Sequence, residues 1–184
     1  MKYLVTGGIL AALVSGSAMA QVTVIYGQTP AVRCYENAAQ EMIRASDLDA
    51  CDEALETEFL SARDRRSTWV NRAVINLNIG NPATALQDLD RAVELGFNGP
   101  EIALNQSTAF VHLQQYEAAV DAATRALDEG LEDQHKAYYN RAIANEHLGR
   151  IAEAYADLRM AVEAAPGWQL PVQQLERYSV SNGS

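Results

Sequence analysis

Apolar residues recur along this chain at the three- and four-residue spacing of amphipathic helices, in short runs broken by Gly, Asn and Pro. Ala31, Cys34, Tyr35, Ala38, Met42 and Ile43 predict a helix from Ala31 to about Arg44. Ser46-Asp47 marks a turn and a helix start, and Leu48, Cys51, Ala54, Leu55 and Leu60 predict a second helix reaching about Ala62. The charged run Ala62 to Arg66 reads as the solvated end of that helix, where cations complement its dipole. Gly80-Asn81-Pro82 predicts a junction: Gly80 ends one helix, Asn81 caps the next, and Pro82 in the first turn loses no bond. Beyond it, Ala85, Leu86, Leu89, Ala92 and Val93 form one apolar stripe. Near the end, Leu170, Val172, Leu175 and Tyr178 predict a last helix from Gln169 to Val180.

The pattern repeats. Residues 137–166 read as two amphipathic helices joined by a Gly turn and closed by Pro166, with small residues Ala142, Ala154 and Ala161 where the helices must approach closely. Ala73, Ala85 and Ala92 have the same internal spacing, as do Ser107, Ala119 and Ala126, and the copies are offset by 34 and then 35 residues. A helix–turn–helix unit of this period resembles the tetratricopeptide family. Trp69 fills the family's leading aromatic position in the first copy; Ala103 replaces it in the degenerate second, which also has Gln114-Gln115 in place of the turn Gly. Phe97 stands where Pro is usual. The resemblance implies an all-α fold, a right-handed α-α superhelix of helical hairpins with a C-terminal capping helix. Its parts are a divergent hairpin (31–65), repeats at 66–99, 100–134 and 135–168, and a capping helix with tail (169–184). Terminal units are expected to diverge because they cap the stack.

Residues 1–20 have the form of a secretory signal. Lys2 supplies the n-region, Leu4 to Val14 the apolar h-region, and Ala18-Met19-Ala20 a small-x-small cleavage site. The apolar run is shorter than the roughly 20 residues that span a bilayer, and no Cys follows for lipid attachment. The expectation is a cleaved, soluble protein of a Gram-negative periplasm. Gln21 to Pro30 alternates β-branched and polar residues and reads as an extended arm, either a leader or a strand that pairs with a partner. Residues 1–20 hold one of the 14 basic residues and none of the 24 acidic ones, so the mature charge is −11. That argues against nucleic-acid partners and anionic membrane surfaces, both of which need basic patches. Cys34 and Cys51 are the two cysteines of the chain. In an exported protein they predict a disulfide across the N-terminal hairpin, with two buried thiols as the alternative.

The resemblance maps a concave groove onto the first helix of each repeat. Val70, Val74, Leu77 and Asn78 line it in the first, Leu104, Asn105, Thr108, Val111 and His112 in the second, and Lys136, Tyr139, Asn140, Ile143, Glu146 and His147 in the third. These residues are more apolar than charged, which suits a peptide or helix that buries side chains. Some of them could instead pack against the arm or the last helix. Asn71, Asn105 and Asn140 share one repeat position and suit either a hydrogen bond to a bound peptide backbone or one within the scaffold. Lys136, Asn105 and Asn140 fit part of the family's carboxylate clamp, but Val70 and Val74 replace its polar pair, so no clamp is expected.

His112 and His147 also share a position, but no HExxH, Cys pair or acidic cluster accompanies them. There is no GxSxG, no Gly-rich phosphate loop, and no His near either Cys in sequence. The expectation is therefore a non-enzymatic module with no cofactor and no metal. It would act as an adaptor or assembly factor that holds a peptide or helix of an envelope protein. The alternatives are a self-assembling structural repeat protein and, more remotely, a metal-dependent enzyme.

Overall fold

The computed structural model describes residues 29–57 and 59–181; the expected signal and most of the arm lie outside them. These residues form a superhelical all-α array of hairpins. The first hairpin is α1 (Pro30–Ala38) and α2 (Leu48–Thr57), with a short 3-10 turn at Ala45–Asp47 between them. Three repeats follow: α3 (Ala62–Asn78) with α4 (Pro82–Glu94), α5 (Pro100–His112) with α6 (Tyr116–Asp128), and α7 (Gln134–His147) with α8 (Ile151–Ala164). A last helix, α9 (Gln169–Ser181), packs on α8.

The nine repeated small residues explain why the hairpins close. Ala73, Ala85, Ala92, Ser107, Ala119, Ala126, Ala142, Ala154 and Ala161 are all at most 1% exposed, so no larger side chain fits without separating the helices. The inter-helix turns are equally regular. In the first repeat Gly80 takes φ +84°, Asn81 N–H donates to Asn76 O at 2.8 Å, and Gly80 N–H donates to Leu77 O at 3.2 Å. This is the Schellman arrangement that satisfies the last carbonyls of a helix. Gly149 repeats it in the third. In the second repeat Gln114 adopts the same left-handed backbone, φ +59°, and Gln115 N–H still donates to Phe110 O at 2.9 Å. The turn there is as well defined as in its neighbours. Asn81 makes no side-chain cap bond; its Nδ2 reaches back to Asn76 Oδ1 at 3.5 Å.

The N-terminal hairpin departs from the sequence reading at its boundaries. Thr29 and Pro30, counted with the arm, are the N-cap and first residue of α1, with Val32 N–H donating to Thr29 Oγ1 at 3.4 Å. α1 stops at Ala38, short of Arg44. The chain folds back there, Asn37 Nδ2 donates to Asp47 O at 3.1 Å, and Ile43 and Leu48 can then pack on the cysteines. The run Ala62 to Arg66 opens α3 and does not close α2. Ser61 is the cap that starts the new helix, accepting from Asp64 N–H at 3.1 Å. Cys34 and Cys51 form the expected disulfide, with an S–S distance of 2.06 Å. Together with Ala50 and Ile75 of α3 they make a buried cluster that joins the hairpin to the first repeat.

The candidate partner-binding groove

Curvature follows from which helices touch. Among the described residues α3 packs against α5 and α5 against α7, whereas each second helix packs chiefly on its own first helix and on the next one. Rows of first helices that approach while second helices splay put the first helices on the inside of the bend. Their exposed side chains face the concave side.

Most of the groove residues expected from the sequence stand on these helices in accessible positions. Val70, Val74, Leu104, Asn105, Thr108, Val111, Tyr139, Asn140, Ile143 and Glu146 are half-buried; Asn78, His112, Lys136 and His147 are exposed. Leu77 is different. It is 6% exposed and belongs to the interior cluster around Leu89 and Ile102, so it supports the wall and does not face a ligand. Val70 also packs against that cluster, and Leu104 packs on the buried group of Ala103, Ala126, Leu131 and Ala137.

The third repeat's share is partly occupied from within. Tyr139 meets the ring of Trp168 edge-on at 4.8 Å, and Glu146 accepts from Arg177 Nη2 of α9 at 3.1 Å. His147 stacks on Tyr116 of the preceding repeat, 4.3 Å between ring centroids and 3° from parallel. Asn140 makes a scaffold bond: its Nδ2 donates to Ser107 Oγ at 2.8 Å and Thr108 Oγ1 at 2.9 Å, bridging two first helices. Lys136 pairs with Asp133 at 2.7 Å at the start of its own helix. Among the described residues no group of three or more His, Cys, Asp or Glu side chains is placed to hold a metal ion.

Sequence reasoning missed a polar constellation behind the wall. Arg72 of α3 grips Asp88 of α4, and Asn76 Nδ2 donates to the same carboxylate at 3.0 Å. Arg141, Asp157 and Asn145 reproduce the trio in the third repeat. Burial alone would lower the Arg72 guanidinium, but hydrogen bonding and charge attraction from Asp88, then Asp52, outweigh it and hold the pKa above its ordinary value. The hydrogen bond that Arg141 donates to Asp157 is the main cause of the same upward shift at Arg141. Trp69 and Tyr138 each lie under the guanidinium of their repeat, at 4.6 and 5.7 Å. In the middle repeat Gln106, Phe110 and Ala122 stand at the three positions, and the clasp is absent. The signal available in the sequence was a 16-residue Arg–Asp offset at the same position of the first and third repeats.

The tetratricopeptide repeat family model matches residues 104–167, which cover most of the second and third repeats. Residues 104–167 belong to the tetratricopeptide repeat family. The crystal structure of MamA superposes with a TM-score of 0.61 over 74% of this chain and 77% of that one, at 20% identity, a likeness of fold. No curated protein sequence matches the chain. The family model covers the degenerate second repeat and the well-preserved third. The first repeat, outside the matched span, shares their backbone turn and the third repeat's Arg–Asp–Asn trio.

Proposed function

We propose that this tetratricopeptide protein is exported to the periplasm, where its concave wall binds an extended peptide or helix of another envelope protein. The fold itself supports an interaction or scaffold role. The observation that carries the finer reading is the half-buried apolar row Val74, Leu104, Val111 and Ile143 along first helices that touch one another in turn. Such a row offers alternating pockets to side chains of a bound segment. The signal-like residues 1–20 and a disulfide that needs an oxidising compartment support export.

Val74→Glu with Val111→Glu tests the groove, because neither residue belongs to the interior clusters. Affinity capture of envelope proteins by the mature chain should yield a protein that the double variant loses while keeping its helical circular dichroism. Equal capture by both would sink the reading. Export is checked separately, by finding the chain in the periplasmic fraction with Gln21 at its N-terminus.

A further inference from the structure

Three positions set the middle repeat apart from its neighbours. Ala103 replaces the rings Trp69 and Tyr138, Gln106 replaces Arg72 and Arg141, and Phe110 replaces Asn76 and Asn145. In the first and third repeats the ring lies under a guanidinium, 4.6 Å from Arg72 at Trp69 and 5.7 Å from Arg141 at Tyr138. The middle repeat has instead a cavity of about 380 Å³, lined by Val93, Ile102, Ala103, Gln106, Phe110 and Arg125.

The repeat register ties this cavity to the missing ring. Ala103, Gln106 and Arg125 continue Trp69, Arg72 and Arg91, which together border one pocket of the first repeat. Ala103 is 1% exposed and belongs to the buried group of Ala126, Leu131 and Ala137, so it forms the floor. Arg125 and Asn98 are exposed at the rim, and the cavity opens between the second helices α4 and α6, away from the concave wall.

The charge at the rim says what would fill the space. Arg91 pairs with Glu94 at 2.8 Å, whereas Arg125 donates to the neutral Gln106 Oε1 at 2.5 Å and pairs with no carboxylate among the described residues. A guanidinium whose charge no carboxylate matches attracts the negative face of an aromatic ring. Val93, Ile102 and Phe110 supply apolar sides for that ring, and Glu129, which also lines the cavity, disfavours an anionic ligand.

We propose that this cavity binds an aromatic side chain, Trp or Tyr, carried by a partner protein, in the place that Trp69 and Tyr138 fill in the neighbouring repeats. Asn98 points to a side chain and not a free ring. Its amide makes no hydrogen bond among the described residues and borders the mouth, where the backbone that carries the ring would pass. The site lies outside the concave wall and does not depend on what that wall binds.

Two probes are titrated into the mature chain and followed by methyl NMR: indole, a bare ring, and N-acetyltryptophanamide, a ring with its backbone amides. Saturable shifts centred on the methyl groups of Val93, Ile102 and Ala103 are expected, with the amide probe the tighter and Asn98→Ala removing its advantage. Arg125→Ala, at an exposed site, should weaken both by about 3-fold. Ala103→Trp should fill the cavity, abolish both titrations and raise the melting temperature by roughly 2–4 °C. No saturable shift at these methyl groups, or shifts indifferent to Arg125→Ala, overturns the proposal. So does a lowered melting temperature for Ala103→Trp, because the cavity would then not admit a ring from this register. Indole binding as tightly as the amide probe would assign the site to a free aromatic compound and overturn the partner side chain.

Discussion

Arg72 and Asp88 face each other across the first repeat as a two-pronged pair: Nε donates to Oδ2 at 3.0 Å and Nη2 to Oδ1 at 2.7 Å. Asp88 is 1% exposed, so its charge depends on this partner and on Asn76. Removing one member of such a pair leaves the other charged and buried, which costs far more than the intact pair contributes. Arg72→Ala should therefore destabilise by about 3 kcal/mol, while Arg72→Leu with Asp88→Leu should recover most of that loss. Urea unfolding of the single and double variants checks it. A double variant no more stable than Arg72→Ala would mean that Arg72 acts through Asp52 and Trp69 instead.

Much of this molecule was legible because a repeat states its own rules three times. Ala73, Ser107 and Ala142 announced close helix approach, and each proved sealed in the interior. Gly80 and Gly149 announced turns, and both are left-handed. The Arg–Asp clasp was not legible from hydrophobic periodicity, because charged residues on helices usually read as solvated faces. Asp88 and Asp157 are the exceptions that only a partner sixteen residues away explains. The end of α1 was missed for a different reason. Met42 and Ile43 keep helical spacing with Ala38, yet Ile43 reaches the disulfide cluster by a backbone reversal that periodicity cannot register. The family pattern named positions on the first helices but could not tell accessible side chains from those spent within the scaffold, as Leu77 and Asn140 show.

Gln114 is the one non-glycine residue with positive φ among the described residues. Its Cβ crowds the backbone in a conformation that costs an L-residue roughly 1 kcal/mol, and glycines fill the equivalent turns on both sides. Gln114→Gly should raise stability by about 1 kcal/mol, and Gly149→Gln should lower it by a similar amount. Thermal melts read both. No gain at Gln114 would imply that its side chain already stabilises the turn.

The Cys34–Cys51 bridge closes a loop of 17 residues in sequence separation. In the chain-entropy model a loop of this size contributes about 3 kcal/mol. Because Ile75 of α3 is packed in the same buried cluster, the loss should extend beyond the hairpin. Reduction, or Cys34→Ser with Cys51→Ser, should lower the melting temperature of the whole array and speed amide exchange in α3. Melting unchanged by reductant would show that the hairpin adds little to the stack.

Tyr178 anchors the end of α9, its ring 6.1 Å from that of Tyr155 and its phenol beside Glu146. Burial, and then the nearby Glu146 carboxylate, both disfavour phenolate, so the folded-state pKa lies above the ordinary value, with Arg177 pulling weakly the other way. In the unfolded chain the same phenol titrates near its reference value of about 10. The folded state thus holds this proton more tightly than the unfolded state does, and stability falls with pH wherever the folded state binds more protons. The contribution is complete below the unfolded-state pKa and disappears as pH rises through the raised folded-state value. Tyrosinate absorbance should show a phenol titrating above the ordinary tyrosine range, and Tyr178→Phe should remove that late step and flatten the alkaline loss of stability. If Tyr178→Phe leaves the absorbance titration and the alkaline loss of stability unchanged, α9 does not hold the phenol against α8.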